Sequence, residues 1–139
     1  MLRSAQQVLA LKPDGAVLAG LDIGVVGPHD PGHECAFEVR AFFPGNNGLA
    51  EDPVTGSLNA ALAQWLIGAS LAPAQYIASQ GTALSRAGRV HVLQEGDDIW
   101  IGGNSVTCIM VERSATVRLD PFSDAAQRTP GRANTYKCS

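Results

Sequence analysis

Seven consecutive residues, Glu51-Asp52-Pro53-Val54-Thr55-Gly56-Ser57, combine two carboxyl groups, two hydroxyls and a glycine. Carboxylates take up and return protons. Backbone N–H groups at a helix start have no internal partner, and the helix dipole attracts anions there. Gly56 lets a ligand approach the backbone closely. Thr55 and Ser57 each add a hydroxyl donor, and either qualifies as a helix cap. Asp52-Pro53 offers a second arrangement, with Asp52 as N-cap and Pro53 at the first helical position. One reading is a well-capped helix and nothing more. The other is a helix start that binds a carboxylate or phosphate. The adjacent acids Glu51 and Asp52 oppose such an anion unless one hydrogen-bonds the loop or handles a proton.

The elements around this stretch must hold it in place. Leu58, Ala61, Leu62, Trp65, Leu66 and Ala69 follow helical spacing, which predicts a helix from about Gly56 to Gly68. Ala60, Ala63 and Ile67 fill its other side and leave only Asn59 and Gln64 polar. An apolar surface nearly all round predicts a buried central helix. It is too short and interrupted to span a membrane. Upstream, Phe37, Val39, Ala41 and Phe43 alternate with Glu38, Arg40 and Phe42, the pattern of a half-buried strand. A turn-rich loop, Pro44 to Gly48, joins that strand to the helix start. A strand before and a buried helix after give the support that a preorganised site needs.

The rest of the chain reads as short elements. Leu2, Ala5, Val8 and Leu9 predict a short amphipathic helix that stops before Pro13. Leu11 to Gly15 is a turn, and Val17 to Val26 is expected to be a buried strand. Gly27 to Glu34 holds His29, Asp30, His33 and Glu34, all zinc-ligand types. Two prolines and two glycines favour a solvated loop over a metal site there. Gln75 to Ser79 is a short strand. Gln80-Gly81-Thr82 either places polar groups near the helix start or is a simple turn. Arg86 either meets an acid such as Glu51 or is a surface charge. Arg89 to Gln94, a turn at Glu95-Gly96-Asp97-Asp98 and Ile99 to Ile101 predict a hairpin. Further strands are expected over 106–111 and 116–119. Antiparallel neighbours with one buried helix make an α+β fold.

Several of these motifs together carry a family resemblance. Arg40-Ala41-Phe42-Phe43-Pro44, Gly48 and Glu51 to Ser57 are followed in order by Gln80-Gly81, Leu84 to Val90 and Ile101-Gly102-Gly103-Asn104-Ser105-Val106. This series resembles the PhzF-like (phenazine-biosynthesis-like) isomerases, which share the diaminopimelate-epimerase fold. The resemblance runs from about Leu9 to Leu119. It implies one lobe of a two-lobed protein, with a strongly curved, mostly antiparallel, barrel-like sheet around a central helix. The matching lobe is the second, so the chain is expected to begin near the lobe boundary. Residues 1–119 would form this lobe and 120–139 a flexible tail. The first lobe's catalytic Glu and Gly-His-Pro motif have no counterpart in the sequence. The pattern also departs at Ser85 and Ala87, where the family more often has Gly and Pro.

The resemblance further implies proton transfer on a small carboxylic acid, with no cofactor and no metal. Asp52 and Ser57 would be catalytic. Glu51, Thr55, Gly56, Gln80 and Gly81 would bind substrate, with the Gly56 and Ser57 N–H groups on its carboxylate. Thr55 stands where diaminopimelate epimerases place a Cys, which disfavours a two-thiol mechanism. The alternatives are a non-catalytic remnant or carboxylate-binding module, and self-pairing of two copies into a homodimer. A separately encoded first lobe is a further partner.

Composition narrows the setting. Apolar residues make up 45% of the 139, as in a soluble single domain. Thirteen acids against ten Lys and Arg give a net charge of −3, which excludes an electrostatic case for nucleic acid. Met1 to Gln7 lacks the apolar core of a signal peptide, so no membrane association is expected. Cys35, Cys108 and Cys138 show neither metal spacing nor a disulfide framework, which fits the cytoplasm.

Overall fold

The computed structural model describes residues 1–46, 48–105 and, as backbone, 134–138. Its elements are α1 (Ala5–Ala10), β1 (Ile23–Pro28), β2 (Phe37–Gly45), β3 (Gly48–Asp52), α2 (Gly56–Gly68), β4 (Gln75–Gln80), β5 (Gly88–Glu95), β6 (Asp98–Gly103) and β7 (Asn134–Cys138). A single 3₁₀ turn, Thr82–Leu84, lies between β4 and β5. The strands form one mixed sheet in the order β1-β2-β4-β5-β6-β7, with β3 paired to β2 off this path. This is an α+β architecture. Among the described residues the path ends at β1 and β7 without closing.

Period-2 alternation sets the two faces of the sheet. Phe37, Val39, Ala78, Val90 and Val92 face α2 and share a core with Ala60, Ala63 and Leu66. Phe37 meets Tyr76 edge-on with ring centroids 5.3 Å apart. Burial pushes the Tyr76 phenol up to about 12. Helix α1 covers the opposite face at β1 and β2. Its Ser4 N-cap accepts from the Gln7 N–H, and Ala5 and Val8 are buried. A Cβ at Gly27 would lie 2.5 Å from the Ser4 carbonyl and 2.8 Å from Val8 Cγ2, so glycine permits this contact.

Four expectations change. Helix α2 is not buried all round: Asn59, Ala60, Ala63 and Leu66 are buried, but Trp65 is 47% exposed. An apolar helix packed on one face of an open sheet has only one stripe covered. Strand β2 is more buried than alternation suggests, because all six residues Phe37 to Phe42 are enclosed. Helix α1 and hydrogen-bonded partners cover its polar face. The strand expected over Val17 to Val26 begins only at Ile23. Asp14 turns the chain first, through Oδ1 to the Ala16 N–H (2.9 Å) and its carbonyl to the Leu18 N–H (3.0 Å). Val17 is 74% exposed. Finally, Asn134–Cys138 pairs antiparallel with β6, inside the stretch expected to be a tail. The expected strands over 106–111 and 116–119 lie outside the described residues.

The polar loop Gly27 to Glu34 is anchored, not solvated throughout. His29 Nε2 lies 2.9 Å from Ser79 Oγ and 3.4 Å from Glu38 Oε2. Ser79 and Thr82 hydroxyls donate to the same Glu38 oxygen, at 2.5 and 3.1 Å. With the Ser79 proton directed at Glu38, Ser79 Oγ accepts from His29 Nε2–H. His33 stacks on His29 at 3.9 Å, and its Nδ1 accepts from the Cys35 N–H at 3.0 Å. Both rings are thus committed to protein partners. No group of three His, Cys, Asp or Glu among the described residues is arranged to hold a metal. Cys35 is buried, and burial pushes its thiol up, which suppresses the reactive thiolate.

Burial lowers the pKa of His29, with His33 adding to that and Glu38 and Asp30 opposing it. The unfolded chain therefore binds this proton more readily than the native one. Stability from the neutral ring is present above about 6.5, the ordinary His value, and is lost as pH falls through the lowered native pKa. Thermal unfolding at pH 7.5 and 5.5 is expected to show a larger acid-side loss for the native chain than for His29→Gln. Equal losses would remove His29 as the cause.

Candidate functional site

The site is built where β3 delivers the chain to α2. Strand β3 pairs antiparallel with β2 through Ala41↔Asp52 and Phe42↔Glu51, which sets both acids on a fixed backbone. Asp52 then closes an Asx-type turn. Its Oδ1 accepts from the Val54 N–H at 3.2 Å, and its Oδ2 accepts from the Thr55 hydroxyl at 2.8 Å. Thr55 is the N-cap of α2 by backbone conformation but makes no side-chain cap bond. Its hydroxyl is taken by Asp52, so Thr55 holds the expected cap position without a side-chain cap bond, and Asp52 is not the N-cap. The helix begins at Gly56, with Gly56 and Ser57 exposed in its first turn. A Cβ on Gly56 would meet nothing within 4 Å, so the space before the first turn is open.

Gln80 holds this loop from β4. It is fully buried (0% exposed). Its Nε2 donates to the Asp52 carbonyl and to Thr55 Oγ1, both at 3.0 Å. Its Oε1 accepts from the Thr55 N–H at 3.2 Å and from Asn59 Nδ2 at 2.8 Å. Asn59, in turn, donates to the Thr55 carbonyl at 2.8 Å. Asn59 is the buried partner that sequence reasoning missed. Its signal was a polar residue inside an otherwise apolar helix.

Gly81 follows with φ +84, and a Cβ there would lie 2.7 Å from the Pro53 carbonyl. Glycine is therefore required twice, by conformation and by the close approach of the loop. Gly81→Ala is expected to destabilise the fold by about 1–3 kcal/mol. Gly56→Ala, in open space, should leave stability unchanged or slightly raised. Urea unfolding midpoints check both, and equal effects would contradict this account of Gly81.

Glu51 points away from the helix start. Arg40 grips it with two bonds, Nε to Oε1 at 2.9 Å and Nη2 to Oε2 at 2.7 Å. Arg40 Nη1 also donates to the Val8 carbonyl at 3.1 Å and the Leu11 carbonyl at 2.9 Å, at the C-terminal end of α1. The partner of Glu51 is thus Arg40, and Arg86 is exposed. The expected placements resolve into two groups. Asp52, Thr55 and Gln80 are joined in one network, Gly81 packs against the Pro53 carbonyl beside it, and Gly56 and Ser57 are exposed in the helix turn that follows. Glu51 is engaged by Arg40 on the far side of the strand.

A cavity of about 220 Å³ borders the network, lined by Asp52 and Thr55 with Gly24, Ala41, Phe43 and Leu58 among its walls. Its lining is mostly apolar, and it includes two acids, Asp52 and Asp22. Helix α2 and every other described helix are too short or too polar to cross a membrane.

No curated protein and no solved structure matches the chain. One protein family does, and its match takes in the α2 start, Gln80–Gly81 and the β5–β6 hairpin. By that match, over residues 1–110, the chain belongs to the phenazine biosynthesis-like (PhzC-PhzF) family.

Proposed function

We propose that the chain is one lobe of a cofactor-independent isomerase that moves a proton on a small carboxylic acid. Family membership supports an isomerase-type reaction. The observation that carries the reading is Asp52, whose carboxyl is held by Thr55 and Val54 and which lines a mostly apolar cavity beside an exposed helix start. In this reading the substrate carboxylate sits on the Gly56 and Ser57 N–H groups, where the helix dipole favours negative charge. Asp52 takes the proton from a carbon next to the carboxylate, or from an allylic position, and returns it to another face or carbon. Donors at the helix start stabilise the negative charge that develops. Thr55 serves by orienting Asp52, and Ser57 by donating to the substrate. A second copy of the chain, or a separately encoded first lobe, closes the cleft.

Deuterium uptake tests this. The chain is incubated in deuterium oxide with amino acids and with β,γ-unsaturated acids, from dilute to concentrated protein. Proton NMR should show loss of one C–H signal, rising steeply with protein concentration if copies pair. No uptake with any of these acids, alone or at high concentration, would sink self-paired catalysis.

A further inference from the structure

We propose that Gln80 is a positioning residue: its amide fixes the direction of the Thr55 hydroxyl proton and, through it, the geometry of Asp52. This rests on the reading of Asp52 as the proton-handling group.

The orientation of the Gln80 amide is forced by its neighbours. The Asp52 carbonyl can only accept, and the Thr55 N–H and the Asn59 amide nitrogen can only donate. Nε2 must therefore face the Asp52 carbonyl and Thr55 Oγ1, at 3.0 Å each. Once Thr55 Oγ1 accepts from Gln80, its one proton points to Asp52 Oδ2, 2.8 Å away. A directed chain of hydrogen bonds thus runs from β4 to the carboxylate at the cavity. Both donors and both acceptor positions of Gln80 are used inside the protein. Nothing remains to offer a ligand, so Gln80 acts through Thr55 and does not bind substrate. On either side of Gln80, Ser79 on β4 and Thr82 in the 3₁₀ turn both donate to Glu38 of β2.

The test uses the full chain with carbon-13 at its aspartate carboxyls, and the variants Q80E, T55V, T55S and T55V/Q80E. Q80E keeps an acceptor for the Thr55 N–H and Asn59, but offers the Thr55 hydroxyl a competing carboxylate. Q80E and T55V are each expected to displace the Asp52 carboxyl resonance. T55S should keep it at the native position, and adding Q80E to T55V should move it less than Q80E moves it alone, since only the direct bond to the Asp52 carbonyl is then lost. A folded Q80E with an unmoved Asp52 resonance would overturn the proposal, as would an equal displacement in both backgrounds. If Q80E does not fold, the Gln80 amide protons report instead: they should move in T55V and return in T55S, and unmoved protons in T55V would overturn it.

With an acid that the native chain exchanges, Q80E should lower kcat by about 10²-fold and leave KM within about twofold. Coupled resonances without any deuterium uptake would defeat proton transfer by the self-paired chain and leave the role of Gln80 standing. Uptake with uncoupled resonances would do the reverse.

Discussion

Arg40→Ala is expected to destabilise the fold by about 3–5 kcal/mol, the range for removing one partner of a buried ion pair. The guanidinium and the Glu51 carboxylate are 8% and 10% exposed, so water does little to replace either. The same substitution strips donors from the Val8 and Leu11 carbonyls, which end α1 without other side-chain partners. A loss of this size is a large share of a domain's total stability. Urea unfolding would measure it. Arg40→Lys should recover only part, because an ammonium cannot make the two-pronged contact with Glu51. The double change Arg40→Met with Glu51→Leu should recover more than half, since no charge is then left unpaired. If Arg40→Ala costs less than about 1 kcal/mol, the pair is solvated in solution and does not tie α1 to the strand before the site.

Asp52→Asn is expected to abolish deuterium uptake, by about 10²–10⁴-fold, the usual contribution of one general base. The amide oxygen can still accept from the Val54 N–H, but the amide nitrogen cannot accept from the Thr55 hydroxyl, so the turn persists at a cost of about 1 kcal/mol. Loss of exchange with an unfolding midpoint lowered by no more than that would assign the proton transfer to this side chain. Retained exchange in a well-folded Asp52→Asn would move the chemistry to another group. Thr55→Val should have a smaller effect, because it removes an orienting hydroxyl and leaves the carboxylate.

These two residues mark what could be read in the sequence. Asp52, Thr55, Gly56 and Ser57 are close in the chain, so their helix-start chemistry is a local pattern. The helix over Gly56–Gly68 follows from spacing, and the β5–β6 hairpin from its turn residues. The partners of these residues are not local. Nothing in Arg40's alternation identifies Glu51 as its partner, because that pairing depends on β3 folding back on β2. Apolar residues all round α2 suggested enclosure, yet composition does not say how many neighbours exist to enclose it. His29 looked solvated because proline and glycine surround it. Its burial comes from Glu38 and Ser79, brought together by the pairing of β2 with β4.

That β2–β4 pairing is the one parallel contact between described strands, Phe37–Val39 against Ala78–Gln80. It joins residues as far apart as Glu38 and Ser79, 41 positions along the chain. Helices and tight hairpins form within microseconds, whereas closing a long chain segment into a parallel ladder is slow. The loop from Asp52 to Thr55 can therefore sit beside a formed α2 and still lack Gln80. Its final shape requires β4 in place, so the site is expected to assemble late in folding. Function in this chain is then coupled to folding rate, and a variant that slows β4 docking would delay activity even where the native state is equally stable.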